Sequence, residues 1–331
     1  MSQSKQDVCI IGAGITGLTA ALELLEKGYS VRVLEARQIG AGASGCNAGQ
    51  LLPGYALNQA ELQQSVGKAT ADRMLSLSHA ALSSLLSRIQ KNQMECGLHQ
   101  NQYRVQAKNG TVHEVQNTYY FDTGRYLFEL ANLIRKKGGL IMEHCGPIKR
   151  VDRGSLQAHF VILATNASDL MGPLIPKKMA SIKTYKVMTA RLPGVEVFLP
   201  VGVAVANPNS VVHYLRVDSA YRLIMGCHIW SVLDPQELIQ QISQAVLKHV
   251  PIAQDLKIVD VQGAWVGVTA NRLPHFGRIQ PQVFYARGFA GKGLVLGSMA
   301  GDLMARAIDG DASDFELLEA IPHQDFVLPK R

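Results

Sequence analysis

The chain has 331 residues, 47% of them hydrophobic and 18% charged, enough for two domains with a large core, which excludes a disordered or fibrous class. Its net charge of +7 comes from scattered short pairs such as Lys136-Lys137 and Lys177-Lys178, with no basic tract to argue for nucleic acid. Cys9, Cys46, Cys96, Cys145 and Cys227 are odd in number without metal-ligand spacing, so a reduced, cytoplasmic setting with no metal is expected, and the apolar run from Val8 to Leu22, broken by three glycines, is too short to span a bilayer.

Asp7 to Ile11 is an apolar run with the length of a buried strand. Gly12-Ala13-Gly14-Ile15-Thr16-Gly17 follows at once, and Leu18 to Lys27 then carries Leu18, Ala21, Leu22 and Leu25 at helical spacing. Gly28 stands where a helix C-cap glycine belongs. Ser30 to Leu34 is a second strand, ending at Glu35, 18 residues after the last glycine. A lone G-x-G-x-x-G says little, but between a strand and a helix and closed by an acid it reads as a dinucleotide-binding turn. Gly12 permits the tight turn, Gly14 lets the backbone approach a pyrophosphate, and Gly17 lets helix and strand pack closely. The helix start at Ile15 and Thr16 offers N–H groups to the phosphates. Glu35 can accept from both ribose hydroxyls, and an acid there disfavours a 2′-phosphate. This turn alone suits NAD as well as FAD.

Ile39 to Gln50 is rich in small residues, so a loop there can lie flat against a ligand. Leu34-Glu35-Ala36, Gly42-Ala43-Ser44-Gly45 and Asn47-Ala48-Gly49-Gln50 together resemble the flavin-binding region of the D-amino-acid oxidase superfamily. The likeness is closest to its gamma-glutamylputrescine oxidoreductase branch, which reads G-A-S-G-R-N-G-G-Q; Cys46 stands at that branch's arginine and Ala48 at a glycine. The resemblance implies FAD, with Ala36, Ser44, Gly45, Asn47, Gln50 and Leu51 among its contacts.

Gln59 to Gln93 is helical in pattern, with Leu75, His79, Leu82, Leu85, Leu86 and Ile89 on one face and His79 expected in the core or at its boundary. Gln102 to Val105 and Thr111 to Val115 read as short polar strands joined through Asn109-Gly110. Here the resemblance is poorest, since members of the superfamily are longer and carry a substrate-proximal loop that this chain omits before Tyr119. Tyr126 to Lys137 reads as an amphipathic helix, with Leu127, Leu130, Ala131 and Ile134 inward and a stop at Gly138-Gly139. Leu140 to His144, Pro147 to Val151 and Phe160 to Ala164 read as strands, with a stub of the superfamily's meander between the last two. The resemblance lays the Ile148 backbone against the adenine side of FAD and matches Ala164, Thr165 and Asn166 to a turn beside the cofactor.

Ser181 to Leu192 reads as a long strand entering a second domain. Val211 to Val217 and Tyr221 to Gly226 form a hairpin, in which alternation puts Tyr214 and Arg216 on one face and His213 and Leu215 on the other. Arg216 above a flavin can pair bidentately with a substrate carboxylate, with Tyr214 beside it; the alternative is a cross-strand surface arginine. Gln236 to Val250 is a helix opened by Asp234-Pro235. Ala264 to Arg278 closely resembles the branch's W-G-G-x-V-x-x-x-x-N-R-x-P-H-F-G-R. Sarcosine oxidases carry a flavin-bonded cysteine near Ala264, and its lack here implies noncovalent FAD. Val283 to Ala286 is a strand, and Gly288-Phe289-Ala290-Gly291-Lys292-Gly293 opens a helix from Leu294 to Ile308, capped by Gly310. This second glycine loop suits the flavin's pyrimidine oxygens, with Gly288, Gly291, Gly293 and Leu294 at the cofactor. Lys292 replaces the branch's histidine: it is either a cation favouring the anionic reduced flavin or a solvent-facing residue.

These readings give an α/β fold: a Rossmann-like FAD-binding domain of the glutathione-reductase type from residues 1–62, 119–171 and 260–331, and an antiparallel-sheet substrate domain from 63–118 and 172–259. The reaction implied is oxidation of an amine or amino acid to an imine by hydride transfer to flavin N5, then hydrolysis, with oxygen or another acceptor reoxidising the flavin. Positioning and a neutral amine carry such chemistry, so no acid–base triad is expected. A flavin-binding protein without catalysis and an NAD-dependent dehydrogenase are the alternatives, the second opposed by the Gly288–Gly293 loop.

Overall fold

The computed structural model describes residues 6–106, 112–148, 156–167, 178–206, 212–229, 235–254 and 256–326. β1 (Gln6–Ile11), α1 (Ile15–Glu26) and β2 (Val31–Leu34) form the opening unit. A short β3 (Gln50–Leu51) precedes α2 (Gln59–Val66) and α3 (Lys68–Lys91). β4 (His99–Gln106) pairs antiparallel with β5 (Val112–Tyr120). α4 (Thr123–Lys136), β6 (Leu140–Met142) and β7 (Ala158–Leu163) follow. β8 (Met179–Thr189), β9 (Val203–Ala206), β10 (Val212–Val217) and β11 (Leu223–Ile229) lead to α5 (Pro235–Leu247) and β12 (Ile258–Thr269). β13 (His275–Gln280), β14 (Val283–Arg287), α6 (Gly293–Ile308) and α7 (Ser313–Glu319) close the chain.

The strands sort into two sheets. Sheet A has the order β13-β14-β7-β1-β2-β6 and is parallel except for the β13–β14 pair. β14 is buried throughout and β1 over its last four residues, because helices or loops cover both faces; hence the continuous apolar runs in the sequence. Sheet B has the order β12-β8-β11-β10-β9-β4-β5-β3 and is antiparallel except between β4 and β9.

Two glycines on α6 decide how sheet A is covered. A Cβ on Gly301 would stand 2.5 Å from the Thr16 carbonyl oxygen, and one on Gly297 2.8 Å from the Ile15 and Thr16 side chains. Only glycine lets α6 and α1 lie that close, so both helices start side by side at the C-terminal edge of the sheet. The buried faces of α1, α3, α4 and α6 share one core, and Val187, Leu215, Met225, Ile242 and Val246 anchor a second one between sheet B and α5.

Several expectations are corrected. His79 is exposed, because the inward stripe of α3 runs through Ala71, Met74, Ser78, Ala81, Leu85 and Arg88, one helical step away. Pro147 and Ile148 lie outside any strand, and the rest of that expected strand, the Asn109-Gly110 turn and the Asp234 cap fall outside the described residues. α4 begins earlier than expected, at Thr123, because the Asp122 side chain accepts from the Arg125 N–H at 3.0 Å. The register of β10 on β11 shifts between Val212 and Tyr214, a bulge that breaks the expected alternation at His213.

Candidate active site

A cavity of about 770 Å³ lies between the C-terminal ends of β1, β2 and β7 and the inner face of sheet B. That is the crevice in which open parallel sheets bind ligands, at a size typical of such sites.

Its first end is made of backbone. Gly12 has φ +106°, and a Cβ there would stand 2.7 Å from the Ala164 carbonyl oxygen. A Cβ on Gly14 would stand 2.8 Å from Ser44 Oγ, and one on Gly17 would strike the Gly12 carbonyl. Gly14 caps α1 without a side chain, so Ser44 supplies the acceptor, taking the Ile15 N–H at 3.0 Å. The Glu35 carboxylate accepts from Ala13 N–H at 2.8 Å and Arg37 N–H at 2.9 Å, which fixes it under the turn with lone pairs remaining. Asn47 holds the small-residue loop: its amide donates to the Ala43 and Ser44 carbonyls, and its oxygen accepts from Gly49 N–H at 2.8 Å.

Asn166, with φ +43°, joins the two glycine loops by accepting from Gly288 N–H at 3.1 Å. Phe289, Gly291, Gly293 and Leu294 bring the start of α6 to the cavity. The opposite wall is built of side chains. Tyr214 donates to Gln50 Oε1 at 2.8 Å, and Gln50 and Asn101 exchange amide hydrogen bonds at 3.0 and 3.1 Å. Tyr103 stacks on Tyr214 at 6.3 Å between ring centroids. Burial pushes the Tyr103 phenol up to about 12 and raises Tyr214 further, so both keep their protons.

The cavity brings together most residues singled out from the sequence: Gly12, Gly14, Ile15, Thr16, Glu35, Ala36, Ser44, Asn47, Gln50, Ile148, Ala164, Thr165, Asn166, Tyr214, Gly291, Gly293 and Leu294. Others are not among its lining residues. Gly17 and Gly45 serve close backbone packing, Leu51 is fully buried in the core, and Gly288 makes the turn bonded to Asn166. Arg216 lies beneath the wall: its guanidinium stacks on Tyr120 at 4.1 Å and donates to the Ala48 carbonyl at 3.3 Å. Lys292 caps α6, half-buried, and desolvation lowers its ammonium pKa against the opposing pull of Glu114. Tyr103, His213 and Gly226 line the cavity and were missed from the sequence. The glycine facing a hairpin histidine was the available signal.

A model of FAD-dependent oxidoreductases of the D-amino-acid oxidase type matches residues 7–120 and 109–307. The chain belongs to this family of FAD-dependent oxidoreductases. Of the dinucleotides left open by the first glycine turn, the family's is FAD. The residues fit it: glycines clear a path over α1, the Glu35 carboxylate lines the cavity with lone pairs to spare, and a second helix N-terminus faces the far end. Gamma-glutamylputrescine oxidoreductase of Escherichia coli K12 is 29% identical over 97% of the chain and 87% of its own length. A probable oxidoreductase of Haemophilus influenzae is 27% identical over 95% of the chain and 85% of its own length. Glycine oxidase from Geobacillus kaustophilus shares the fold at TM-score 0.74 and 16% identity, over 92% of this FAD-dependent oxidoreductase and 94% of that chain. No helix among the described residues is long and apolar enough to cross a membrane.

Proposed function

We propose that this enzyme oxidises an amine or amino acid to an imine, which water hydrolyses, with oxygen or another acceptor taking the electrons. One observation carries the reading: a single cavity joins the dinucleotide turn to a wall of buried aromatic side chains that hold their protons. Such a wall suits a neutral amine better than a charged one. The names of its relatives, gamma-glutamylputrescine oxidoreductase and glycine oxidase among them, point to the same substrate class. FAD, when bound, supplies at flavin N5 the acceptor for a hydride from the carbon beside nitrogen.

The residues divide the remaining work. Glu35 and the first turn of α1 would bind the adenosine diphosphate half of FAD, and Ile148 would contribute to the adenine side. Ala264 leaves no thiol for a flavin bond at that position, so the cofactor is held noncovalently. Tyr214, fixed by Gln50, orients the substrate. Arg216 meets a substrate carboxylate only if its guanidinium leaves Tyr120; as placed, it braces the Ala48 backbone. Lys292, at the start of α6, would place positive charge near the reduced flavin and incoming oxygen, so Lys292→Met would lower the flavin potential and slow reoxidation. Sheet B with α5 is the substrate-binding portion in this scheme, and α3 serves the cofactor portion, contrary to the sequence-based division. The setting we propose is cytoplasmic.

The test is product analysis with a panel of amines, gamma-glutamylputrescine and glycine included. One of them should yield its carbonyl product and a released amine or ammonia in step with acceptor reduction. Formation of no carbonyl product by an FAD-replete sample across the panel would leave a flavin-binding protein without this activity.

A further inference from the structure

The bulge in β10 puts two consecutive side chains on one face of sheet B. Tyr214 pairs with Gly226, so their side-chain positions share the cavity face. A Cβ built on Gly226 would stand 3.3 Å from Tyr214 Cβ and 2.9 Å from His213 Nε2. The His213 ring therefore lies over Gly226 on that face, in a space that exists only because residue 226 is glycine. In an unbroken strand this imidazole would point into the core between sheet B and α5, where Val212 and Leu215 point.

From this geometry we infer that His213 is the proton acceptor for the incoming substrate, an inference that rests on the amine-oxidising reading above. At neutral pH an amine arrives as an ammonium ion, which lacks the lone pair that must form the imine bond as hydride leaves. An N–H bond of the ammonium breaks, its electron pair stays on nitrogen, and the proton forms a bond to an imidazole nitrogen. The products are a neutral amine and an imidazolium, and net charge is unchanged.

The other titratable groups around the cavity do not fill this role. Burial keeps Tyr103 and Tyr214 protonated, and burial likewise raises the Cys46 thiol. Glu35 is fixed beneath the first glycine turn by its two backbone bonds. Tyr185 and Lys183 both line the cavity, but Lys183 Nζ lies over the Tyr185 ring at 5.2 Å and 5.9 Å from the Trp265 ring centroid, the placement of a cation rather than of a proton acceptor. Lys186 pairs with Gly226 from β8, which puts its cation on the same face of sheet B, where it offers no acceptor. Beyond it, on β12, Asp260 accepts from the Gln262 amide at 2.9 Å, and Arg216 lies three residues from His213 along β10.

The experiment uses the FAD-loaded protein and tert-butylamine, which has no hydrogen on the carbon beside nitrogen and so cannot be oxidised. Its binding is read from the perturbed flavin absorption as a function of pH. In the wild type the proton passes to His213, so affinity for total amine should be nearly flat between about pH 7 and pH 9. In His213→Gln the proton must be released to solvent, and affinity should weaken about tenfold for each pH unit lowered. His213→Gln should also slow anaerobic flavin reduction by oxidisable amines at neutral pH and recover in alkali. Parallel binding slopes in the two proteins, or no binding to the wild type, would overturn the assignment. Amine binding with the expected slopes but no flavin reduction by any oxidisable amine would overturn the oxidase reading and leave the proton acceptor in place.

Discussion

The two walls of the cavity are made in opposite ways. The sheet A wall is specified by atoms that are missing: Gly12, Gly14 and Gly17 each stand where a Cβ would clash with a backbone or hydroxyl oxygen at 2.8 Å or less. The sheet B wall is specified by side chains, with Tyr103, Tyr214, Gln50 and Asn101 stacked and bonded in series and a bulge that turns His213 inward. A wall of backbone accepts one ligand shape and tolerates little change. A wall of side chains can be rewritten residue by residue without disturbing the fold, which suits a cofactor held constant and a substrate that varies.

The backbone wall is least tolerant at Gly17. Gly17→Ala should cost about 3 kcal/mol by overpacking against the Gly12 carbonyl and should abolish FAD retention, as read by urea denaturation and cofactor content. Near-wild-type stability would mean that the first turn has slack. Glu35→Ala should weaken FAD binding by about 1.5–3 kcal/mol, the range for a charged hydrogen bond, in an equilibrium titration of the apoprotein. Unchanged affinity would remove Glu35 from the ribose.

Acid should strike sheet A. His275 is buried where β13 begins, with Tyr285 Oη 2.9 Å from its Nε2, and the His323 ring lies 4.6 Å away. Desolvation, then the neighbouring His323, Arg287 and Lys178, push His275 down to about 3; burial takes His323 to about 4. Their folded-state values lie below the ordinary one near about 6.5, so the unfolded chain binds more protons in acid. Stability should be complete above about pH 6.5 and fall as pH drops, by about 1.4 kcal/mol per unit from His275 alone. His275→Asn should flatten that slope in thermal melts; an unchanged slope would put the acid sensitivity elsewhere. On the sheet B side, Tyr214→Phe should cost only about 1 kcal/mol of stability by removing one of the two hydrogen bonds to Gln50 Oε1, with its main effect on KM.

What the sequence revealed follows the same divide. The glycine turn, α1, β2 and Glu35 are contiguous, and their spacing carries the chemistry locally. The second glycine loop is likewise local, though the Gly297 and Gly301 pair that seats α6 on α1 went unread. The sheet B wall depends on register between distant segments. Gln50 meets Tyr214 and Asn101 only because β3 joins a sheet whose strands come from across the chain, and the His213 bulge exists only relative to β11. Arg88 shows the same limit: its burial on α3 is explained by Glu23 at 2.6 Å and Tyr126 at 3.2 Å, neither near it in sequence.

One cavity serves both cofactor and amine in the proposed reaction. Anaerobic mixing of the purified, FAD-loaded protein with candidate amines tests it most directly. An amine with a hydrogen on the carbon beside nitrogen should bleach the bound flavin, oxygen or another acceptor should restore the colour, and acid denaturation should then release all of it to the supernatant. A flavin that stays oxidised with every such amine, or colour that remains in the acid pellet, would contradict it.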